Sequence, residues 1–512
     1  MSIARLASRA RRDLAYLAEP SREWTIPRER HGARVLDVLI VGAGQGGLAI
    51  GAALQRERIS NFRIVDRNRK GAEGPWRRFA RMRELRTIKD VNGIDLGIPS
   101  LTMRAYYEAR FGRDSWARID KLPPGVWLDY LHWFRDVLAL PVENETELAA
   151  IEEDGGLLLA TLLGPGGEQR LHARKIVLAT GIEGGGFWRS PPALVAGLPA
   201  GRFAHAADDI DFAALAGKRI AVLGVGPSAF DNAAAALEAG AARVDLCFRR
   251  KEIPRVNPLV WMYFSGMLGQ FAELDDLARW RFMRRIIEEL PAPPPQDVFW
   301  RCRAHDNFAW HGGCAWRSVQ EKSGELVIET AGPLIVADFI IFATGFETDL
   351  TARPELRCFV RHIALWQDRF TPPAGEESDL LARHPYLGGA FEFTERVAGE
   401  APYLSRLHNF TLAAMPSLGL TGSATTGIKY GVPRLVGGIA RDLFREDADR
   451  YYQSLLSYDE QELKTLDTAS DWIECLATDA LARFAVDEDG PLAGLVGRSD
   501  PPASDKRAAR AR

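Results

Sequence analysis

Val38-Leu39-Ile40-Val41-Gly42-Ala43-Gly44-Gln45-Gly46-Gly47 and, further along, Ile220-Ala221-Val222-Leu223-Gly224-Val225-Gly226-Pro227-Ser228-Ala229 decide the fold of this chain. Each stretch is an apolar strand running into a glycine-rich turn and then into a helix of small residues, Leu48 to Leu54 in one copy and Ala233 to Leu237 in the other. The first glycine permits the tight strand-to-helix turn. The second lets backbone approach a pyrophosphate. The third position, Gly47 or Ala229, must be small for the helix to pack on its sheet. The helix N-terminus then offers free N–H groups and a positive dipole end to phosphate. Two such turns imply two dinucleotides on one protein, the arrangement of a redox enzyme.

The second strand of each unit separates the two sites. The strand Phe62-Arg63-Ile64-Val65 ends at Asp66, with Arg67 beside it. A carboxylate there accepts hydrogen bonds from ribose hydroxyls and repels a 2′-phosphate, which suits FAD or NAD. The strand Val244-Asp245-Leu246-Cys247-Phe248 ends in Arg249-Arg250-Lys251. Three cations at the ribose end suit the 2′-phosphate of NADPH.

Outward from the turns, the architecture repeats. Leu157–Leu163 and Leu171–Ala179 read as a hairpin around Gly164-Pro165-Gly166-Gly167, ending in Ala179-Thr180-Gly181. Glu325–Thr330 and Leu334–Phe342 read as a second hairpin, ending in Ala343-Thr344-Gly345-Phe346. Thr180, Gly181, Thr344 and Gly345 are candidate cofactor contacts. The expected fold is α/β: two Rossmann-like dinucleotide-binding domains, the second inserted in the first, with extra helical segments. The expected divisions are an N-terminal amphipathic extension at 1–35, the first part of the FAD domain at 36–200, and the NADPH domain at 201–345. The remainder of the FAD domain with C-terminal helices occupies 346–496, and a disordered tail 497–512. In the extension, Ile3, Leu6, Ala10, Leu14 and Leu17 recur at helical spacing among four arginines, which favours docking on the protein's own surface over a membrane.

Composition sets the bounds. A chain of 512 residues with 46% hydrophobic and 26% charged residues is ordinary for a soluble, multidomain protein. The net charge of −3 gives no case for nucleic acid. No apolar run is long enough for a transmembrane helix, and the N-terminus lacks the apolar core of a secretory signal. Five scattered cysteines fit reduced thiols in a cytoplasm. No C-x-x-C occurs, so the close cysteine relay of two-dinucleotide disulfide reductases is missing from the sequence.

The whole arrangement resembles the two-dinucleotide flavin monooxygenases: the flavin-containing, YUCCA, Baeyer–Villiger and N-hydroxylating enzymes. Gly42, Gly44 and Gly47 with Asp66 match their FAD turn and ribose acid. Gly74-Pro75-Trp76 looks like their G-x-W element. Leu85-Arg86-Thr87-Ile88-Lys89, leading to Leu96-Gly97-Ile98-Pro99, is similar to the segment passing the isoalloxazine ring. Gly224, Gly226 and Ala229 match the NADPH turn. Gly419-Leu420-Thr421-Gly422 with Thr426-Gly427-Ile428-Lys429-Tyr430-Gly431 looks like the C-terminal flavin contact. The interdomain F-x-G-x-x-x-H fingerprint departs: Gly201 and His205 keep their spacing, but Pro199 replaces the Phe and Asp209 the aromatic beyond the histidine. His205 could hold the linker against NADPH or be a surface histidine.

The resemblance implies reduction of FAD by NADPH, a C4a-(hydro)peroxyflavin formed with O2, and transfer of one oxygen to a small or medium organic substrate. Arg86, Lys89 and Lys429 are the candidate cations beside the flavin. The aromatic-dense insert at 253–320 would line an apolar pocket, form an added helical core or make a homodimer contact. Cys302-x-x-His305 and His311-x-x-Cys314 have a metal-like spacing, but their central gap is short for a structural site and no metal is expected. An NAD(P)H-dependent flavin reductase without oxygen insertion is the alternative enzyme. A redox-sensing protein that keeps both nucleotides is the non-enzyme alternative.

Overall fold

The computed structural model describes residues 2–17, 22–91, 93–420, 422, 424–460 and 462. The tail expected at 497–512 lies outside them. One compact unit spans Met1–Asp447; a second begins at Ala448 and holds a helix over Ala448–Leu456.

Helix α1 (Ile3–Tyr16) begins at Ser2, whose hydroxyl accepts from the Arg5 N–H. It buries Leu6 and Ala10 in the main core and turns its arginines outward, so the apolar stripe does dock on the protein itself.

The first sheet is built around β1 (Leu36–Val41). It continues on one side through β2 (Phe62–Val65) and β3 (Val142–Glu143). After β3 come β4 (Glu147–Asp154), β5 (Leu157–Gly164) and the long β6 (Gly167–Gly181), an antiparallel meander. The last half of β6 pairs in parallel with β1, Leu178 lying opposite Val41. Between β1 and β2, helix α2 (Gln45–Arg56) packs so closely that a Cβ at Gly51 would stand 2.7 Å from Ile64 Cδ1.

The second sheet repeats the plan. Strands β7 (Phe203–His205), β8 (Arg219–Leu223), β9 (Arg243–Phe248) and β10 (Phe308–Gly312) are parallel. Helix α3 (Pro227–Glu238) comes after β8. An antiparallel trio β11 (Trp316–Lys322), β12 (Glu325–Thr330) and β13 (Ile335–Ala337) leads into β14 (Phe339–Phe342), which slots between β7 and β8. The hairpin arm expected as one strand, Leu334–Phe342, is thus broken at Asp338. Asp338 donates its N–H to Arg219 O, and the chain leaves the antiparallel trio for the parallel sheet. In the first sheet β6 does both jobs without a break.

The chain crosses between the sheets twice, and the crossings pair with each other: Gly186–Trp188 runs antiparallel to Phe346–Thr348. It then returns as β15 (Leu407–Thr411), parallel to β6, which makes the second sheet an insertion in the first. Helix α4 (Ile428–Glu446) closes the unit. Its end neutralises two buried cations of β6. Arg174, fully buried, meets Asp447 at 2.8 Å and Glu446 at 3.0 Å, and Lys175 meets Asp442 at 2.9 Å. Leaving either cation buried without its carboxylate would cost about 3–5 kcal/mol.

Much of the aromatic insert is core. Met262, Phe271, Trp280 and Met283 pack with Trp366 and Leu381, the Trp280 and Trp366 rings lying 5.9 Å apart. Tyr263 instead lines a cavity at the first glycine turn, while Trp261 and Trp300 stand exposed.

Candidate functional site: a dinucleotide cleft

At the carboxyl edge of the first sheet lies a cavity of ≈ 610 Å³, within the range of small-molecule sites, roughly 300–1,000 Å³. Two features of the backbone shape the turn that lines it. Gly42 has φ +106°, and a Cβ there would stand 2.5 Å from Ala179 O; only glycine permits that turn. Gly47 is required by packing, since its Cβ would meet Gly42 O at 1.8 Å. Gly44 differs: among the described residues no atom lies within 4 Å of its would-be Cβ. It caps α2 without a side-chain hydrogen bond and lines the cavity, so the free N–H groups of the helix N-terminus face open space.

Asp66 closes the turn. One carboxylate oxygen accepts from Ala43 N at 2.8 Å; the other accepts from Asn68 N at 2.8 Å and Asn68 Nδ2 at 2.9 Å. Lone pairs remain on this buried carboxylate for hydroxyl donors. Arg67 is paired with Glu183. Gln45 Oε1 accepts from Thr425 Oγ1 at 3.1 Å, which brings the segment before α4 onto the glycine turn. Trp76 Nε1 and Thr180 Oγ1 are buried on residues that line the cavity and have no hydrogen-bond partner among the described residues. A cradle of this shape with unmatched polar atoms fits an adenine dinucleotide.

Gly42, Gly44, Gln45, Asp66, Arg67, Trp76, Thr180, Gly181 and Arg86 therefore meet around one cavity, joined from the second turn by Pro227. Gly224, Gly226, Ser228 and Ala229 form the equivalent turn of the second sheet, outside that lining. Gly224, at φ +146°, would drive a Cβ to within 2.4 Å of Ala343 O, whereas Gly226 has nothing within 4 Å. Arg249 and Arg250 stand exposed just after β9. Thr344 is bonded to Arg189 O, and Gly345, at φ +86°, accepts from Arg189 N at 3.1 Å; both sit at the crossing.

The three candidate cations part company. Arg86 lines the cavity and reaches Asp231 Oδ2 of α3 at 2.8 Å, tying the 85–89 segment to the second turn's helix. Lys89 faces elsewhere: its ammonium donates to Trp116 O at 3.0 Å and to Ile119 O, 5.7 Å from the Trp116 ring. Lys429 is exposed on α4, on the side where its charge acts on Asp95. Lys121, which sequence reasoning missed, does line the cavity, opposite Ile88 in a β-bridge. Asn257 and Tyr263 of the insert join it there, with Thr87 bonding the Tyr263 hydroxyl.

His205 is no surface residue. It is buried, its Nδ1 accepts from Ala207 N at 3.0 Å, and its ring lies 5.4 Å from that of Trp188 at the crossing. Burial pushes its pKa down, so it is neutral. The metal-like spacing at 302–314 disperses: Cys302 donates to Phe230 O, His311 pairs with Asp245 at 2.8 Å, and Cys314 packs against Cys247. Burial pushes the Cys247 thiol up, away from the thiolate that a redox relay needs.

Two sheets, each with parallel strands around a glycine turn at their carboxyl edge, define a two-dinucleotide oxidoreductase fold. Residues 39–263 match the family described as pyridine nucleotide-disulphide oxidoreductase. Over 463 residues the chain is 43% identical to the FAD-dependent urate hydroxylase of Xanthomonas campestris pv. campestris, covering 90% of this chain and 97% of that protein. The structure resembles the ornithine N-hydroxylase of Kutzneria sp. 744 with TM-score 0.61 at 15% identity, over 80% of this chain and 99% of that one. It likewise resembles the reduced ornithine hydroxylase of Pseudomonas aeruginosa, with TM-score 0.63 at 16% identity, over 80% and 100%. The chain belongs to the two-dinucleotide flavoprotein monooxygenases, in one family with the Xanthomonas hydroxylase. It is an oxidoreductase.

Proposed function

We propose that this chain is an FAD-dependent monooxygenase that consumes NADPH and hydroxylates a small, planar, oxygen-rich purine of the urate class. The observation that carries the reading is the 43% identity to a urate hydroxylase along nearly its whole length. Bound FAD would supply the hydride acceptor and the centre at which O2 is activated. The protein's part is to bind, orient and keep the site dry. The N-terminus of α2, with Gly42 and Gly44, would hold the pyrophosphate, and Asp66 the adenosine ribose. The second turn, Gly224 to Ala229, would hold NADPH, with Arg249 and Arg250 free to meet the 2′-phosphate. Lys121 places positive charge in the cavity, which suits an anionic urate, and Asn257 offers an amide to its ring edge. Tyr263 and the Ala292–Pro295 stretch give an apolar wall that excludes water.

The test uses the purified flavoprotein. Under argon, NADPH should bleach the flavin. In air, urate should be consumed in step with NADPH, with a product one oxygen atom heavier. Unchanged urate with stoichiometric peroxide would instead make the chain a flavin reductase, and a flavin that NADPH leaves oxidised would make it a nucleotide-keeping sensor.

A further inference from the structure

Three potential metal ligands that lie far apart in the chain meet on the surface: His31, Asp154 and His172, whose ligand atoms all lie within 4.8 Å of one another. Each is positioned by a different element. Residues Glu29–Arg30 and Ala33–Arg34 form a hairpin, with Arg30 opposite Ala33. Its two-residue turn, His31 at φ +52° and Gly32 at φ +75°, has the left-handed pair of a type I′ turn. That turn projects His31, three-quarters exposed, towards the end of β4, where Asp154 sits. His172 stands on β6, its Nε2 2.7 Å from Asp154 Oδ2, while His31 Nε2 is 3.9 Å from the same oxygen. The two imidazole rings are 5.9 Å apart. His172 is eight residues before Thr180 on one strand, roughly 25 Å from the cavity at a strand's rise.

We propose that His31, Asp154 and His172 form a surface site for one divalent transition-metal ion of the zinc and nickel type. Ligands sharing a tetrahedral ion at metal–nitrogen distances near 2.0–2.1 Å lie about 3.3 Å apart. The His31–Asp154 gap of 3.9 Å closes to that by a small rotation of an exposed side chain, and the His172–Asp154 contact opens to it. Two imidazoles and one carboxylate select zinc, nickel or copper over magnesium and calcium, which prefer all-oxygen shells. One neighbour opposes the ion. Arg30 Nη2 holds Asp154 Oδ1 at 2.9 Å and leaves only Oδ2 available. A guanidinium so near a divalent cation weakens binding, so the site should be of micromolar rather than structural-zinc affinity. An ion there would staple the N-terminal hairpin to the β4–β6 meander.

The experiment is calorimetric titration of Zn²⁺, and separately Ni²⁺, into chelator-stripped holoprotein in excess Mg²⁺. The expected result is one ion per chain, with a rise in melting temperature. His31→Asn, which keeps the left-handed turn, and His172→Ala should each weaken binding more than about tenfold, with flavin content unchanged. Arg30→Ala should strengthen it about threefold or more, an outcome that a purely structural Arg30–Asp154 pair does not give. Zinc uptake identical in wild type and the histidine variants would overturn the site, as would no uptake below millimolar metal.

Discussion

At the first turn Gly42 sits at φ +106°, and a Cβ there would be 2.5 Å from the carbonyl of Ala179; at the second Gly224 sits at φ +146°, and the carbonyl is that of Ala343, at 2.4 Å. Both carbonyls belong to an Ala-Thr-Gly segment. Each turn is therefore locked against the strand that ends its own sheet's hairpin arm, and the repeated tripeptide is the second half of one backbone constraint. Beyond that the copies diverge. The first turn is held by the Asp66 carboxylate, which accepts the Ala43 N–H, and its third position tolerates no side chain. The second ends its neighbouring strand in cations, and its third position, Ala229, carries a fully buried methyl. The same backbone thus ends its second strand at a carboxylate in one copy and at guanidinium groups in the other.

The sharpest way to break this comparison is to equalise the third positions. Gly47→Ala puts a methyl 1.8 Å from a backbone oxygen. It should cost about 3 kcal/mol or more, read as flavin lost on desalting; normal flavin content would mean that the first turn can relax as the second does. Next comes the charge difference. Arg249→Ala with Arg250→Ala should raise KM for NADPH about 10–100-fold and leave NADH unaffected. An equal effect on both nucleotides would mean that these arginines do not meet the 2′-phosphate.

The return strand tests the first sheet alone. His408 on β15 is fully buried, and burial pushes its pKa down to about 3; His384 is pushed to about 4. Both are neutral in the fold, whereas the unfolded chain takes up protons near pH 6.5. Stability should therefore fall as pH drops below about 6.5, by about 2 kcal/mol per histidine at pH 5. Denaturant midpoints at pH 7.5 and pH 5 measure it, and His408→Asn should flatten the difference. The smallest effect is expected from Ala229→Gly, about 0.5–1 kcal/mol of stability for a helical glycine, with both nucleotides still bound.

The turns were legible because their constraint is local: a positive φ and a close carbonyl select glycine whatever lies around them. The Ala-Thr-Gly repeats were legible for the same reason. Cation placement was not. Arg86 and Lys89 are three residues apart, yet one reaches Asp231 of α3 and the other folds back onto the carbonyls of Trp116 and Ile119. Such directions are set by tertiary partners. Lys121 escaped notice because pairing of residues 120–122 with 85–89, distant in sequence, brings it to the cavity. Histidine spacing along the chain is no better a guide to which ligands meet. The close set at 302–314 disperses over a helix, a strand and a loop, while His31 and His172, far apart in the chain, converge. The break at Asp338 was also invisible, since its neighbours continue an apolar strand pattern.

The parallel partner that β6 receives from β15 has a consequence for biosynthesis. During translation the inserted second sheet can complete its strands once Phe342 has emerged, but the first sheet waits for Leu407–Thr411. The half that begins first is finished last. A ribosome stalled between those points would hold a chain whose second sheet has all its strands while the last half of β6 still lacks its β15 partner.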